Sequence, residues 1–289
     1  MRTNVLSLEN FTKICEFEKM GLKKDLAGVI PQDLLSYLPD GYEIIGNIAI
    51  ISVPASLEAY FKDITKALLS RRPSLVTILN KISTIQGKER IAHYDPIFGK
   101  ETITEVREFG FRYQLNVREV YFSTKMASER RRIHELINKR DTVFVPFAGV
   151  GPYAIPAATR GAEVYAIEIS HHACAWMARN AIVNGASSNL HIIRGDALQA
   201  AYYLNKDFSR IIIPTPYGVL KSPDFFLDRL IQGGTAHWIT FCNKAQINEY
   251  IEELSGDIYE VTYCHKSGNI APSVFRWILD IKKKKTDRQ

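Results

Sequence analysis

With 289 residues, 46% of them hydrophobic, and a formal net charge of +6, the chain is long enough for two domains with cores of their own, and its modest basic excess permits a polyanionic partner without requiring one. It has no apolar run of the roughly 18 residues that cross a bilayer and no signal-peptide core near its start, which excludes a membrane segment and points to a cytoplasmic protein. The four cysteines, Cys15, Cys174, Cys242 and Cys264, form no Cys-x-x-Cys pair, so neither a metal site nor a disulfide framework is expected.

Residues 1–117 read as a small α+β domain. Leu26, Ile30, Leu34, Leu35 and Leu38 predict a short helix that stops before Pro39-Asp40-Gly41. Two β-rich runs between Tyr42 and Val53, separated by Gly46-Asn47, predict a hairpin. Leu57, Tyr60, Phe61, Ile64, Leu68 and Leu69 fall at helical spacing, with Ser56 as N-cap and Arg71-Arg72-Pro73 as the stop. Strands near 75–80, 102–108, 111–117 and 119–122 complete the unit.

Residues 118–289 read as a doubly wound α/β domain with a parallel sheet. A helix over 128–138 feeds a strand over 142–147. One helix then starts near Pro152-Tyr153, and another runs from His171 to the C-cap pair Asn184-Gly185. Strands follow at 190–193, 210–213 and 236–241, and Tyr259–His265 with Phe275–Ile281 predict a closing hairpin. Lys125, Arg130, Arg131, Arg132, Lys139 and Arg140 concentrate charge just before the strand at 142, whereas Lys282–Lys285 reads as a solvated tail.

The chemistry is carried by the link between strand 142–147 and the helix after it, Phe147-Ala148-Gly149-Val150-Gly151-Pro152-Tyr153. Glu168 ends the next strand and Asp196 follows the one after that. Such a loop lets backbone approach a cofactor, and an acid at a strand end accepts hydrogen bonds from ribose hydroxyls. The loop lacks the third glycine of the dinucleotide fingerprint and the Gly-Lys-Ser/Thr end of a P-loop. It also places a proline where a pyrophosphate would want an N–H. These features argue against NAD and ATP and for S-adenosylmethionine, with Glu168 on the ribose and Asp196 on the adenine amino group.

Further blocks, in order, are Ile44–Ile51, Val120–Arg130, Phe147–Tyr153, Tyr165–Glu168 and Ala271–Asp280. Over about residues 25–281 the chain resembles the archaeal/eukaryotic-type tRNA (guanine-37-N1)-methyltransferase family and its close relative, the wyosine-pathway tRNA aminocarboxypropyl transferase. The resemblance implies a Rossmann-like class I S-adenosylmethionine-dependent methyltransferase domain preceded by a smaller α+β domain. It also implies a tRNA partner engaged at the anticodon stem-loop, and a monomer is expected.

Guanine N1 carries a proton near neutral pH, so its attack on a sulfonium methyl needs a base at N1 and positive charge near O6. The resemblance places the base at Glu129 and the cation at Arg90. Tyr121, Lys125, Arg130 and Tyr217 fall among the substrate contacts, and Phe147, Gly149, Gly151, Glu168, Asp196, Pro214 and Pro216 among the cofactor contacts. Arg130, Arg131 and Arg132 are expected on phosphates. Plainer readings stand beside these: Glu129 as a helix N-terminal acid, Arg90 as a surface charge, Tyr121 as core.

Three positions depart from the family pattern. Val145 stands where an acid is usual, Pro214 in Ile213-Pro214-Thr215-Pro216-Tyr217-Gly218 replaces an asparagine that lines the base pocket, and Lys125 replaces an arginine. The family's extra N-terminal module is not expected before Leu26, a feature the resemblance shares with the aminocarboxypropyl transferases. The expected activity is methyl transfer to N1 of guanosine, or to a wyosine-type derivative, at position 37. The alternatives are aminocarboxypropyl transfer and an inactive RNA-binding subunit.

Overall fold

A computed structural model describes residues 21–83, 92–204, 206–219 and 222–285. The chain divides into two compact units, one of Met1–Val106 with Asn116–Arg118 and the other of Arg107–Leu115 with Glu119–Gln289.

In the first unit, two single-turn helices, α1 (Leu22–Asp25) and α2 (Gln32–Leu35), replace the one short helix predicted there. Pro31 separates them, since it has no N–H to donate and disfavours helical backbone at the residue before it. The apolar set still packs inward: Leu26, Ile30, Leu35 and Leu38 are buried. Strands β1 (Glu43–Ile45) and β2 (Ile48–Ile51) form the predicted hairpin. Gly46 turns it at φ 60°, where a Cβ would also lie 2.0 Å from Thr104 Oγ1, so only glycine fits.

Ser56 makes no capping bond. Ala55–Tyr60 winds instead as a 3-10 turn before α3 (Phe61–Arg71), whose Ile64 and Leu68 face the core. β3 (Thr77–Lys81) runs parallel to β2, and the buried Asn80 amide exchanges two hydrogen bonds with the Val53 backbone, extending the ladder past the end of β2. β4 (Tyr94–Phe98) was not predicted because Pro96 breaks the run. It sits at an edge of the β1-β2-β3-β4 sheet, where a proline is tolerated. Beyond it, β5 (Ile103–Glu108) pairs with β6 (Phe111–Asn116).

The second unit is a seven-stranded sheet. Residues 119–122 form no strand; the chain runs irregularly into a 3-10 turn, Thr124–Met126, and then α4 (Ala127–Leu136). There follow β7 (Thr142–Pro146), α5 (Ala154–Thr159), β8 (Glu163–Glu168), α6 (His171–Val183), β9 (Leu190–Arg194), α7 (Ala197–Tyr203), β10 (Phe208–Pro214), α8 (Asp224–Leu227), β11 (Leu230–Cys242), α9 (Lys244–Glu253), β12 (Tyr259–Ala271) and β13 (Val274–Lys283). Sequence reading missed α9, although Asn243 and Gln246 form a full capping box at its start. The strand order is β12-β13-β11-β10-β7-β8-β9, parallel except where β13 runs against β11 and β12. Helices cover both faces of its centre, so Val143, Phe144 and Val145 are all fully buried. Strand order reverses between β7 and β10, which opens a crevice at their C-terminal ends.

Ser170 caps α6 by accepting from the Ala173 N–H. From the buried middle of that helix, Asn180 donates to the carbonyls of Gln114 (3.0 Å) and Val150 (3.3 Å) and accepts from the Gln114 N–H (2.8 Å). At the helix end Asn184 donates to Arg112 O and Asn180 O, both at 2.7 Å, and accepts from the Arg112 N–H. Among the described residues no helix is long and apolar enough to cross a membrane. Asn180→Ala strands buried backbone groups, so equilibrium urea unfolding should show a loss of about 2–3 kcal/mol.

Candidate active site

The loop leaving β7 is bent by three left-handed residues, Phe147 (φ 56°), Gly149 (φ 58°) and Gly151 (φ 92°). For Phe147 that conformation costs about 1–2 kcal/mol, and it is held by Ala148 N–H donating to Ile167 O (2.9 Å) and by an edge contact with Phe226. The two glycines differ in purpose. A Cβ on Gly151 would lie 2.7 Å from Ile155 Cδ1, so that glycine serves close packing onto α5, whereas a Cβ on Gly149 would meet nothing within 4 Å. The loop is therefore open at Gly149.

Glu168 stands at that opening. Its Oε2 accepts the Gly149 N–H (2.8 Å) and its Oε1 the Ser170 N–H (2.9 Å). Each oxygen keeps a free lone pair, so the half-buried carboxylate is fixed in place and can still accept from a vicinal diol. Asp196 begins α7 by accepting the Leu198 N–H at 3.1 Å. An open backbone turn with a pre-oriented acceptor beside it fits an adenosyl ligand without phosphates. Pro214 ends β10, opposite Ile239. Thr215 next to it is buried and accepts the Trp238 Nε1–H, and Tyr217 is half exposed with its ring edge-on to Phe241 at 5.6 Å.

Glu129, Arg130 and Ile133 form the buried face of α4. Burying two charges on one helix requires partners, and each charge has its own. Arg130 is bidentate on Glu108 (2.8 and 2.6 Å) and also donates to Ser123 O. Glu129 accepts three bonds from Arg132 (2.6–3.0 Å), and the same guanidinium binds both oxygens of Asp280 at 2.7 and 2.8 Å. Asp280 Oδ1 further accepts from His237 Nδ1 at 2.6 Å, and His237 Nε2 lies 2.6 Å from Arg210, which pairs with Asp141. With Arg210 donating to Nε2, His237 is the neutral Nδ1–H tautomer.

This corrects the basic patch. Arg130 is buried on Glu108, and the partly exposed Arg132 is taken up by Glu129 and Asp280, so neither guanidinium is left free for a phosphate. Arg131 is exposed, with an i,i+4 surface pair to Glu135, and Lys125, Lys139 and Arg140 are exposed as well. Tyr121 is also exposed, not core. Arg90 lies outside the described residues. The His237–Asp280–Arg132 chain was missed; its only sequence signal was the Asp280 that ends the last resemblance block.

A family model described as the TRM5/TYW2 methyltransferase domain matches residues 104–263, more than half of the chain, and a TYW2 N-terminal domain model matches residues 22–102. The chain belongs to the TRM5/TYW2 methyltransferase family. It is 33% identical over 214 residues to tRNA (guanine(37)-N(1))-methyltransferase Trm5b of Pyrococcus abyssi, covering 73% of this chain and 63% of that one. The crystal structure of that organism's Trm5b superposes with TM-score 0.76 at 30% identity, over 89% of this chain and 78% of the other. The P. horikoshii TYW2 in complex with MeSAdo, at 21% identity and TM-score 0.71, shares the fold over 92% of this chain and 98% of that one. The chain thus spans less than two thirds of the length of the curated relatives it matches, 35% in the case of the Danio rerio enzyme.

Within this TRM5/TYW2 chain the departures have local explanations. Val145 is fully buried in β7, packed where an acid would need a partner. Pro214 leaves Thr215 as the nearest side-chain hydroxyl, and that hydroxyl already receives Trp238.

Burial pushes His237 below its usual pKa, with Asp280 pulling upward and the nearby arginines adding to the depression. Burial alone would raise Asp280, but hydrogen bonds from Arg132 and His237 hold it well below the carboxylate range. Both shifts act in one direction. The unfolded chain takes up the histidine proton near pH 6.5 and the native one resists it, so stability falls as pH drops through about 6.5; Asp280 adds a further loss below about 3.9. Denaturant titrations should give a lower unfolding free energy at pH 5 than at pH 7, with a shallower loss in His237→Asn. At pH 7, Asp280→Asn should cost about 2–3 kcal/mol, since it removes the charge that the buried His237 and the partly exposed Arg132 share.

Proposed function

We propose that the protein is an S-adenosylmethionine-dependent tRNA methyltransferase acting on N1 of the guanosine next to the anticodon, at position 37. The observation that carries this is the placement of Glu129: a buried carboxylate, fixed by Arg132, on the helix whose next residue, Arg130, lies 5.9 Å over the ring of Tyr153 in the glycine loop.

When bound, the cofactor supplies an electrophilic methyl on a sulfonium. Glu168 accepts the ribose hydroxyls, Asp196 the adenine amino group, and Gly149 gives the close approach of backbone. Phe147, Gly151, Pro214 and Pro216 shape the rest of that pocket. Glu129 takes the N1 proton of the target base through Oε2, which accepts a single bond from Arg132 and keeps a lone pair to spare. Arg132 prevents the carboxylate from swinging away, and Asp280 with His237 prevents Arg132 from doing so. Tyr121, Lys125 and Tyr217 are exposed and contact the nucleoside and its phosphates, while Arg130 acts through Glu108 and Ser123 to hold the helix that carries Glu129. Arg131, Lys139 and Arg140 supply the salt-dependent attraction for RNA. The partner is tRNA, and the protein works as a monomer in the cytoplasm.

The match of residues 22–102 to a TYW2 N-terminal domain supports a second reading, transfer of the aminocarboxypropyl arm from the same cofactor. The two readings differ in which carbon on sulfur faces the base, a matter of orientation alone. Mass spectrometry of unmodified tRNA incubated with protein and S-adenosylmethionine should show a methyl gain at guanosine 37. An aminocarboxypropyl gain assigns the second reading, and no gain with cofactor bound leaves an RNA-binding subunit. Glu129→Gln should lower kcat by about 100-fold or more with little change in the KM for cofactor.

A further inference from the structure

The tip of the β5–β6 hairpin carries a residue that its backbone disfavours. Glu108 ends β5 and Phe111 begins β6, so the turn is the two-residue loop Phe109-Gly110, with left-handed φ angles of 48° and 91°. Turns of that length and hand favour Asn-Gly or Asp-Gly, because a bulky side chain on left-handed backbone is strained. Phenylalanine stands there instead, and it is 49% exposed. Strain that so little burial offsets points to a use for the ring outside the fold.

Other flat groups surround it. The guanidinium of Arg131, on α4, lies over the Phe109 ring, 5.0 Å from its centre. Phe111 meets His134 edge-on at 5.3 Å, and these four residues border one open pocket of about 240 Å³. Such a volume suits one flat ring better than a whole cofactor. Two further charges at its border, Glu108 and Arg130, neutralise each other through bonds of 2.8 and 2.6 Å. Arg131 has only an exposed pair with Glu135 one helical turn on, a weak hold that still permits the guanidinium to stack.

We propose that this pocket receives an unpaired base of the RNA substrate, stacked on Phe109 and flanked by Arg131, at a site separate from the one that takes the base to be modified. Single-stranded RNA is recognised by laying splayed bases on aromatic rings and guanidinium planes, and every base offers a π face. The net charge of +6 and the exposed Arg131, Lys139 and Arg140 favour a polyanion over a protein segment as the guest. Helix α4 joins the two sites. Glu129 and Arg131 lie two residues apart on it, one buried and one exposed, and Arg130 between them is latched to Glu108 at the hairpin tip. A helix is only about 10–12 Å wide, so RNA seated at one site can reach the other. This assignment rests on the reading of tRNA as substrate, and it holds for either transferred group.

The test uses the full chain, a tRNA transcript and the variants Phe109→Asn and Phe109→Trp. Asparagine relieves the turn and removes the ring, whereas tryptophan keeps a ring for stacking. Phe109→Asn should weaken tRNA binding by about fivefold or more, and Phe109→Trp should recover most of that loss. The Tm of Phe109→Asn should stay level or rise, and its affinity for S-adenosylhomocysteine should match the parent's, because the ring is strained and lies outside the cofactor turn. The loss should also keep its size as salt is raised, since stacking releases no counterions. A smaller loss in Phe109→Asn, an equal loss in Phe109→Trp, or a loss that vanishes at high salt overturns the site. A loss that comes with a lower Tm or weaker S-adenosylhomocysteine binding assigns the ring to folding and overturns it as well. A parent chain that binds S-adenosylhomocysteine but no tRNA overturns the RNA reading along with the site, and that failure is told apart by the parent's own titration.

Discussion

The guanidinium of Arg132 is the constraint on which the site depends. It holds Glu129 on its own helix and Asp280 from a strand 148 residues further on, and it lies 4.3 Å over the ring of Tyr263. Asp280 passes the restraint to His237, and His237 to Arg210 and Asp141. One run of ion pairs and hydrogen bonds, with the neutral His237 in its middle, thus ties α4 to β13, β11, β10 and the start of β7. Arginine suits the central place because its planar fork can engage two carboxylates at once. Lysine, with a point charge, would satisfy one and leave the other buried without a partner.

Such a chain is a poor source of stability, since two buried carboxylates and two arginines give up hydration for their mutual attraction. Its value lies in orientation. A glutamate on a helix exposed to solvent samples several rotamers, whereas Glu129 has one orientation imposed by a neighbour that is itself immobilised. The glycine loop follows a similar logic. Its strained Phe147 and open Gly149 are tolerated because Ala148, Glu168 and the Asn180 amide hold the loop at successive points, the last through Val150 O.

Much of this was legible in the chain, for reasons that differ by element. The parallel sheet, the glycine loop and the two strand-end acids are local patterns in which spacing dictates geometry, so Glu168 could be placed beside Gly149 from sequence. The buried apolar set from Leu26 to Leu38 was legible too, although its helix was not, because hydrophobic spacing survives the break that Pro31 imposes. β4 was hidden by Pro96, harmless at an edge. The site's charges were the hard part: a run of three consecutive arginines reads as a surface patch, and nothing near Arg130 or Arg132 announces Glu108 or Asp280 as partners. The pairing exists only once hairpin and sheet have formed. A lone histidine in β11 gave no cue, since its meaning lies in the acid across the strand pair.

The end of α6 has a bearing on how long a molecule lasts. An asparagine followed by glycine is the dipeptide most prone to cyclise and lose its side-chain amide, because the next backbone nitrogen can reach the side-chain carbonyl. Here the Asn184 amide is engaged by Arg112 and Asn180, and the Gly185 nitrogen donates to Ile182 O. The attacking atom and its target are both occupied, so this thermolabile pair ages slowly in the native state and quickly only when the helix end opens. Chemical shelf life at this position is therefore a gauge of local opening.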